Sequence, residues 1–121
     1  MSFRLRREEV LSGEQLSAML GESPARAAQA IVLAAKAGLI DGQALLGQIL
    51  LEGRGIAKDQ ALAVRWFEIA ARGGHLMARN MLGRCHEHGW GCVADAAVAA
   101  RHYRVAADAG LAAGAAAFGA S

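Results

Sequence analysis

The sequence predicts an all-α fold, a short solenoid of antiparallel helix pairs, and three observations carry that prediction. The chain is rich in Ala and Leu, with one Pro and no Thr among 121 residues. Ala and Leu lose little freedom in a helix, whereas β-branched residues lose more. Glycines recur at a fixed interval, the mark of a repeat architecture. An Asp opens each second helix, and a Gly follows both helices of each unit, as helix ends require.

The interval is 36 residues. At that offset, "LGQILLEGRGIAKDQALAVRWFEIAARGG" from Leu46 aligns with "LGRCHEHGWGCVADAAVAARHYRVAADAG" from Leu82. Leu46, Gly47, Gly53, Gly55, Asp59, Ala61, Ala63, Arg65, Ala70, Ala71 and Gly74 all recur identically, while Phe67 becomes Tyr103 and Ile69 becomes Val105. Alanine matches are cheap in an Ala-rich chain. Leu-Gly, Gly-x-Gly and Asp in one register are not.

Each element follows in order. Residues 1–23 read as an N-terminal helix or cap: Val10, Leu11, Leu16, Met19 and Leu20 fall at helical spacing, and Ser12 with Gln15 forms a capping box. Pro24 suits the first turn of the next helix, so residues 24–40 read as a degenerate half-repeat holding only a second helix. Residues 41–76 and 77–110 are full repeats. Their first helices run from about Gly42 to Glu52 and Ala78 to His88, and stop at Gly53 and Gly89. Their second helices start after Asp59 and Asp95 and end near Arg72 and Asp108. Trp66, Phe67, Ile69, Tyr103 and Val105 supply bulk to the interior in this reading, and Gly47 and Gly83 need a packing reason to sit inside helices. Residues 111–121 read as a truncated repeat start or C-terminal cap with almost no charge. A poor cap invites cover, so Leu111 and Phe118 are expected to mediate self-association into a homo-oligomer.

These residues resemble the Sel-1-like repeat family, a relative of the tetratricopeptide repeats. Leu46-Gly47, Gly53-x-Gly55-Ile56, Asp59, Ala63-x-x-Trp66, Ala70-Ala71 and Gly74 match the family pattern nearly throughout. The second copy departs at His102, where Trp is expected, and at Cys92, where Val is expected. The resemblance covers residues 24–119, most fully 42–110. It implies a right-handed solenoid that binds other proteins and has no catalytic apparatus of its own. It also gives Trp66 an inward, core place.

The stretch "CHEHGWGC", residues 85–92, raises a competing chemistry. Zinc accepts Cys and His at short spacings, and Cys85, His88 and Cys92 are the three that a helix and its following loop bring together. Cys85 and His86 point about 100° apart on a helix, so they do not chelate together. One repeat earlier, Cys85 and Cys92 fall on Ile49 and Ile56. Both then pack as small hydrophobes, and no cofactor is expected. The alternative is a small zinc- or thiol-dependent protein using Cys85, His88 and Cys92. No orienting carboxylate completes a nucleophile–base–orienter set, so the chain is read as no enzyme. The Gly-x-Gly pairs follow helices and do not join a strand to a helix, which removes the dinucleotide reading.

The net charge is +2 and the arginines are dispersed, so no nucleic-acid partner is expected. No stretch is long and apolar enough for a membrane span, and "EEVLSGEQ" follows the Arg4–Arg7 cluster where a secretory leader would need an apolar core. The expected place is cytoplasmic, with both cysteines reduced. The expected function is that of an interaction scaffold or adaptor, presenting a concave helical groove to another protein or peptide. Gln48 and Glu52, their counterparts Arg84 and His88, and Arg79 are the candidate groove lining. Trp90 stands where the sister unit has Arg54; it is either an exposed anchor for a partner or a cover folded over its own helix ends.

Overall fold

The structure, a computed structural model, describes the backbone of residues 12–117 and the side chains of residues 12–110. It holds six helices and, among the described residues, no strand: α1 (Gly13–Glu22), α2 (Pro24–Lys36), α3 (Ile40–Glu52), α4 (Gln60–Arg72), α5 (Leu76–His88) and α6 (Ala96–Ala117). α2 and α4 start 36 residues apart, as do α4 and α6, and α3 and α5. The period in the sequence is therefore a period in space.

Local chemistry sets the helix ends. Ser12 and Gln15 form the expected capping box on α1, and Pro24 occupies the first turn of α2. Asp59 Oδ1 accepts from the Leu62 N–H at 3.0 Å. Asp95 Oδ1 accepts from Ala97 N–H and Val98 N–H at 3.0 and 3.1 Å. Gly53 and Gly89 close α3 and α5 in the left-handed conformation. The loops that follow fold back identically: the Arg54 and Asp59 N–H groups donate to the Ile49 and Leu50 carbonyls, and those of Trp90 and Asp95 donate to Cys85 and His86.

Packing between helices also repeats. A Cβ built at Gly47 would stand 2.7 Å from Phe67 Cδ1, and one at Gly83 would stand 2.5 Å from Tyr103 Cε1. Each first helix thus uses a bare backbone to seat the aromatic of its own second helix. Gly55 lies with φ +74° against the Pro24 carbonyl, and Gly91 with φ +71° against the Gln60 carbonyl. Only glycine fits there, since both the backbone angle and the neighbouring peptide exclude a side chain. These two contacts lock each loop onto the start of the preceding second helix, which joins unit to unit.

One interior runs through the stack. Leu16, Ile31, Ile49, Phe67, Leu82 and Cys85 are its largest fully buried side chains. Burying each of the large apolar ones contributes roughly 1.5–3 kcal/mol against leaving it in water. The helices form two layers. α1 touches α3 and α3 touches α5, whereas α2, α4 and α6 meet only first helices among the described residues. The first helices are therefore the closer, inner row, and the stack curves around them.

Three expectations need correction. Ile69 and Val105 are 41% and 49% exposed and do not fill the interior. Their position faces away from the first-helix row, and the neighbouring Phe67 takes the buried place. Trp66 is half-buried, packed against the core from its edge. The helix begun at Ala96 does not stop near Asp108 but continues to Ala117. Gly38 and Gly74 break α2 and α4 at φ +90° and +94°, whereas Gly110 lies outside the left-handed region and alanines propagate the helix past it. α1 is also out of register with α3 and α5. It joins α2 through Ser23 alone, with no Gly-x-Gly loop. Val10, Leu11 and Phe118 lie outside the described residues, as does the Leu111 side chain.

Candidate functional site

The inner row is the surface on which the sequence placed a groove. Positions 41, 45, 48 and 52 of α3 fall on one helix face, and 77, 81, 84 and 88 repeat that face on α5. The floor is apolar: Leu45 and Met81 are half-buried and Met77 is 38% exposed. Gln48 is half-buried beside it, and Glu52, Arg84 and His88 are exposed. Where α1, α3 and α5 open, a cavity of about 460 Å³ is lined by Glu14, Ser17, Asp41, Leu45, His75 and Met77. His75 Nδ1 accepts from the Ala78 N–H at 3.2 Å, so its proton sits on Nε2, 3.3 Å from Asp41 Oδ1. One imidazole thus caps α5 and ties it to α3.

At the other end, Arg84, His88 and Trp90 come together. The His88 and Trp90 rings stack with centroids 4.6 Å apart and planes 25° apart. The Arg84 guanidinium carbon lies 5.5 Å from the Trp90 ring centroid, in cation–π range. The indole is half-buried, one side on the core and one held by these two side chains. The indole therefore covers its own helix ends and is not fully exposed. Arg84 also approaches Met81 Sδ at 3.9 Å, which places the cation over the apolar floor.

Arg79 does not join them. Its guanidinium donates to the Ala71 carbonyl at 3.4 Å and lies 3.5 Å from His102 Nδ1. One unit earlier, Gln43 donates to the Ala35 carbonyl, also at 3.4 Å. Residue 43 and residue 79 therefore share a structural task, closing the end of the preceding second helix. Sequence comparison missed it because Gln and Arg look unrelated; their common signal is a long donor at one repeat position.

The cysteines and histidines of residues 85–92 part in three directions. Cys85 is fully buried in the core, where desolvation first and the neighbouring Cys92 second push its thiol up to about 11. His88 goes to Trp90. Cys92 Sγ lies 3.5 Å from His86 Nδ1, and the His86 ring stacks on His102 with centroids 5.4 Å apart. Desolvation, with Glu68 adding to it, raises the Cys92 thiol as well. A thiol raised in this way is a poor nucleophile at neutral pH. Cys85, His88 and Cys92 therefore do not converge, and no group of three or more His, Cys, Asp and Glu among the described residues is placed to hold a metal ion. Among the described residues no helix is long and apolar enough to cross a membrane.

The family model "Sel1 repeat" matches residues 40–75 and 76–111. These bounds fall within a residue of the two full repeats read from the period. Among solved structures, the chain is similar to a Sel1 repeat protein from Oxalobacter formigenes, with 24% identity and a TM-score of 0.71, covering 80% of this chain and 81% of that one. It is also similar to a protective antigen present in uropathogenic Escherichia coli strains and displaying an SLR fold, with 27% identity and a TM-score of 0.64. That match covers 81% of this chain and 26% of the antigen. No curated protein sequence matches the chain.

Proposed function

Since the chain belongs to the Sel1 repeat family, whose repeats generally mediate protein–protein interactions, we propose that it is an adaptor whose inner helix row receives a segment of another protein. The observation that carries this reading is the layer asymmetry: first helices contact one another in a row, and second helices do not. Curvature toward α1, α3 and α5 makes that row a trough. Leu45, Met77 and Met81 give it apolar contact area, and Arg84 with His88 over Trp90 gives one end a pre-positioned cation on an aromatic plate. A rigid site of this kind loses little entropy when it binds.

The mechanism is presentation. No bond is made or broken, and no cofactor takes part. Both thiols are raised above their ordinary value, and two free cysteines suit a reducing, cytoplasmic setting. Self-association through Leu111 and Phe118 remains part of the proposal: truncation after Gly110 lowers the solution mass by light scattering if that end joins copies, and an unchanged monomer rejects it.

Affinity capture from the native cell tests the inner row. Wild-type protein is run beside Arg84→Glu, Trp90→Ala and the outer-row control Arg104→Glu. A prey retained by wild type and control and lost from the two inner-row variants supports the reading. A prey held equally by all four contradicts it.

A further inference from the structure

The second helices repeat a feature that an inner-row adaptor leaves unused. Leu33, Ile69 and Val105 hold the same place in α2, α4 and α6, and they are 52%, 41% and 49% exposed. Single exposed aliphatics are ordinary, but three in one register form a row across the outer side. Cations edge that row. Four residues before it stand Arg65 and Arg101, with Gln29 in α2; three residues after it stand Lys36 and Arg72, with Asp108 in α6. Side chains three and four apart share a helix face, and all six of these are exposed. Arg72 meets Glu68 at 4.0 Å, a loose pair with the Arg72 side chain 78% exposed.

The charge of the whole chain conceals this layering. The second helices carry Arg26, Lys36, Arg65, Arg72, Arg101 and Arg104 against Glu68 and Asp108. The first helices carry Glu14, Glu22, Asp41, Glu52 and Glu87 against Arg79 and Arg84. The outer layer is cationic and the inner one acidic. Both ends of the aliphatic row also open into hollows. One of about 530 Å³ lies beside Leu33, between Val32 and Ile56. The other, of about 280 Å³, lies beside Val105, where Arg79 and Arg101 approach.

We propose that this outer face is a second docking surface and that its occupant is an acidic amphipathic helix of a partner protein. The aliphatic row supplies apolar contact, and the flanking cations select carboxylates over other surfaces. The spacing fits a helix laid across the row. Packed helices lie about 8–10 Å apart, and α2, α4 and α6, which do not touch, stand wider than that, so about 10.5 Å is the shortest repeat an occupant helix needs. Residues seven apart on a helix rise about 10.5 Å and keep nearly one face. A helix with aliphatic residues at every seventh position and Glu on either side meets Leu33, Ile69 and Val105 in turn. A nucleic acid would use the cations and leave the aliphatic row bare.

Fluorescence anisotropy tests this with a fluorescein-labelled synthetic helix, Leu at every seventh position and Glu flanking. Saturable binding is expected, weakened roughly tenfold or more by Ile69→Glu, by the Arg65→Glu/Arg101→Glu pair, and by added salt. Arg84→Glu, on the inner row, leaves it unchanged, and circular dichroism verifies the fold of each variant. The proposal is overturned by absent binding, by equal binding of a peptide with Lys in place of Glu, or by indifference to Ile69→Glu. Loss through Arg84→Glu also overturns it, since the peptide then occupies the inner row. So does co-sedimentation with phosphatidylglycerol vesicles in the absence of peptide binding. Failure here leaves the inner-row capture result standing, and the reverse holds too.

Discussion

Gly47→Ala replaces one hydrogen by a methyl, and the structure assigns that methyl a place 2.7 Å from Phe67 Cδ1 and Cε1 and 3.0 Å from Cζ. Real methyl–ring contacts do not come so close. The ring must move or the helices must part. Phe67 is fully buried, so it has no open side to move into. Overpacking of this kind costs about 1–3 kcal/mol. The helix itself gains about 1 kcal/mol from Ala over Gly. The net expectation is a loss of up to about 2 kcal/mol. Gly21→Ala, with no atom within 4 Å of its built Cβ, is the matched control and gains up to about 1 kcal/mol. Gly83→Ala falls between them, because Tyr103 is only half-buried and its ring has room to yield. Urea unfolding followed by far-UV circular dichroism gives all three values. In the double variant Gly47→Ala/Phe67→Leu the smaller side chain relieves the contact, so the double-mutant cycle shows favourable coupling. A Gly47→Ala protein as stable as Gly21→Ala refutes the reasoning, and so does strict additivity in the cycle.

The other expectations are brief. Gly55→Ala and Gly91→Ala meet a positive φ and a neighbouring backbone carbonyl at once, neither of which relaxes cheaply, so each lowers stability by more than about 2 kcal/mol in the same urea assay. Asp59→Ala costs about 1 kcal/mol through the lost cap on α4, and Asp95→Ala costs at least as much because its carboxylate accepts two N–H groups. In native protein a thiol reagent reaches the half-buried Cys92 ahead of Cys85, which reacts only on unfolding; labelling of both at one rate contradicts the burial of Cys85. The Cys85 thiol is raised from 9.0 to about 11 on folding, so its contribution to stability is whole below pH 9 and is lost as pH rises toward 11. Cys85→Ala makes that alkaline decline shallower in urea titrations. His102 is lowered, by burial first and then by Arg79, so its contribution is whole above pH 6.5 and shrinks as pH falls below it. His102→Gln removes that acid-side slope.

Much of the fold could be read from the chain because backbone requirements leave marks that chemistry cannot disguise. Gly47, Gly55, Gly83 and Gly91 each mark a place where a Cβ would strike a neighbour, and Asp59 and Asp95 each mark a helix start. What the period could not reveal was which side of a second helix faces inward. Ile69 and Val105 are as apolar as Phe67, yet they point outward, and only the tertiary arrangement separates them. The same limit governs the site. Arg84 and His88, legible as the counterparts of Gln48 and Glu52, and Trp90, legible as a departure from Arg54, do meet. Arg79 carries the same charge as Arg84 but is used up on the Ala71 carbonyl. His86, not His88, reaches Cys92, because the loop after Gly89 folds back along the helix side that His86 occupies. End effects were the least legible, since Gly110 repeats the glycine that stops α2 and α4 but does not stop α6.

Hydrogen exchange of the protein, free and with the prey lost from Arg84→Glu, tests the role of the inner row most directly. Added protection is expected along α3 and α5, over Asp41–Glu52 and Met77–His88, with α2 and α4 unchanged. Protection gathered on α2, α4 and α6 instead, with α3 and α5 exchanging as in the free protein, would contradict the assignment.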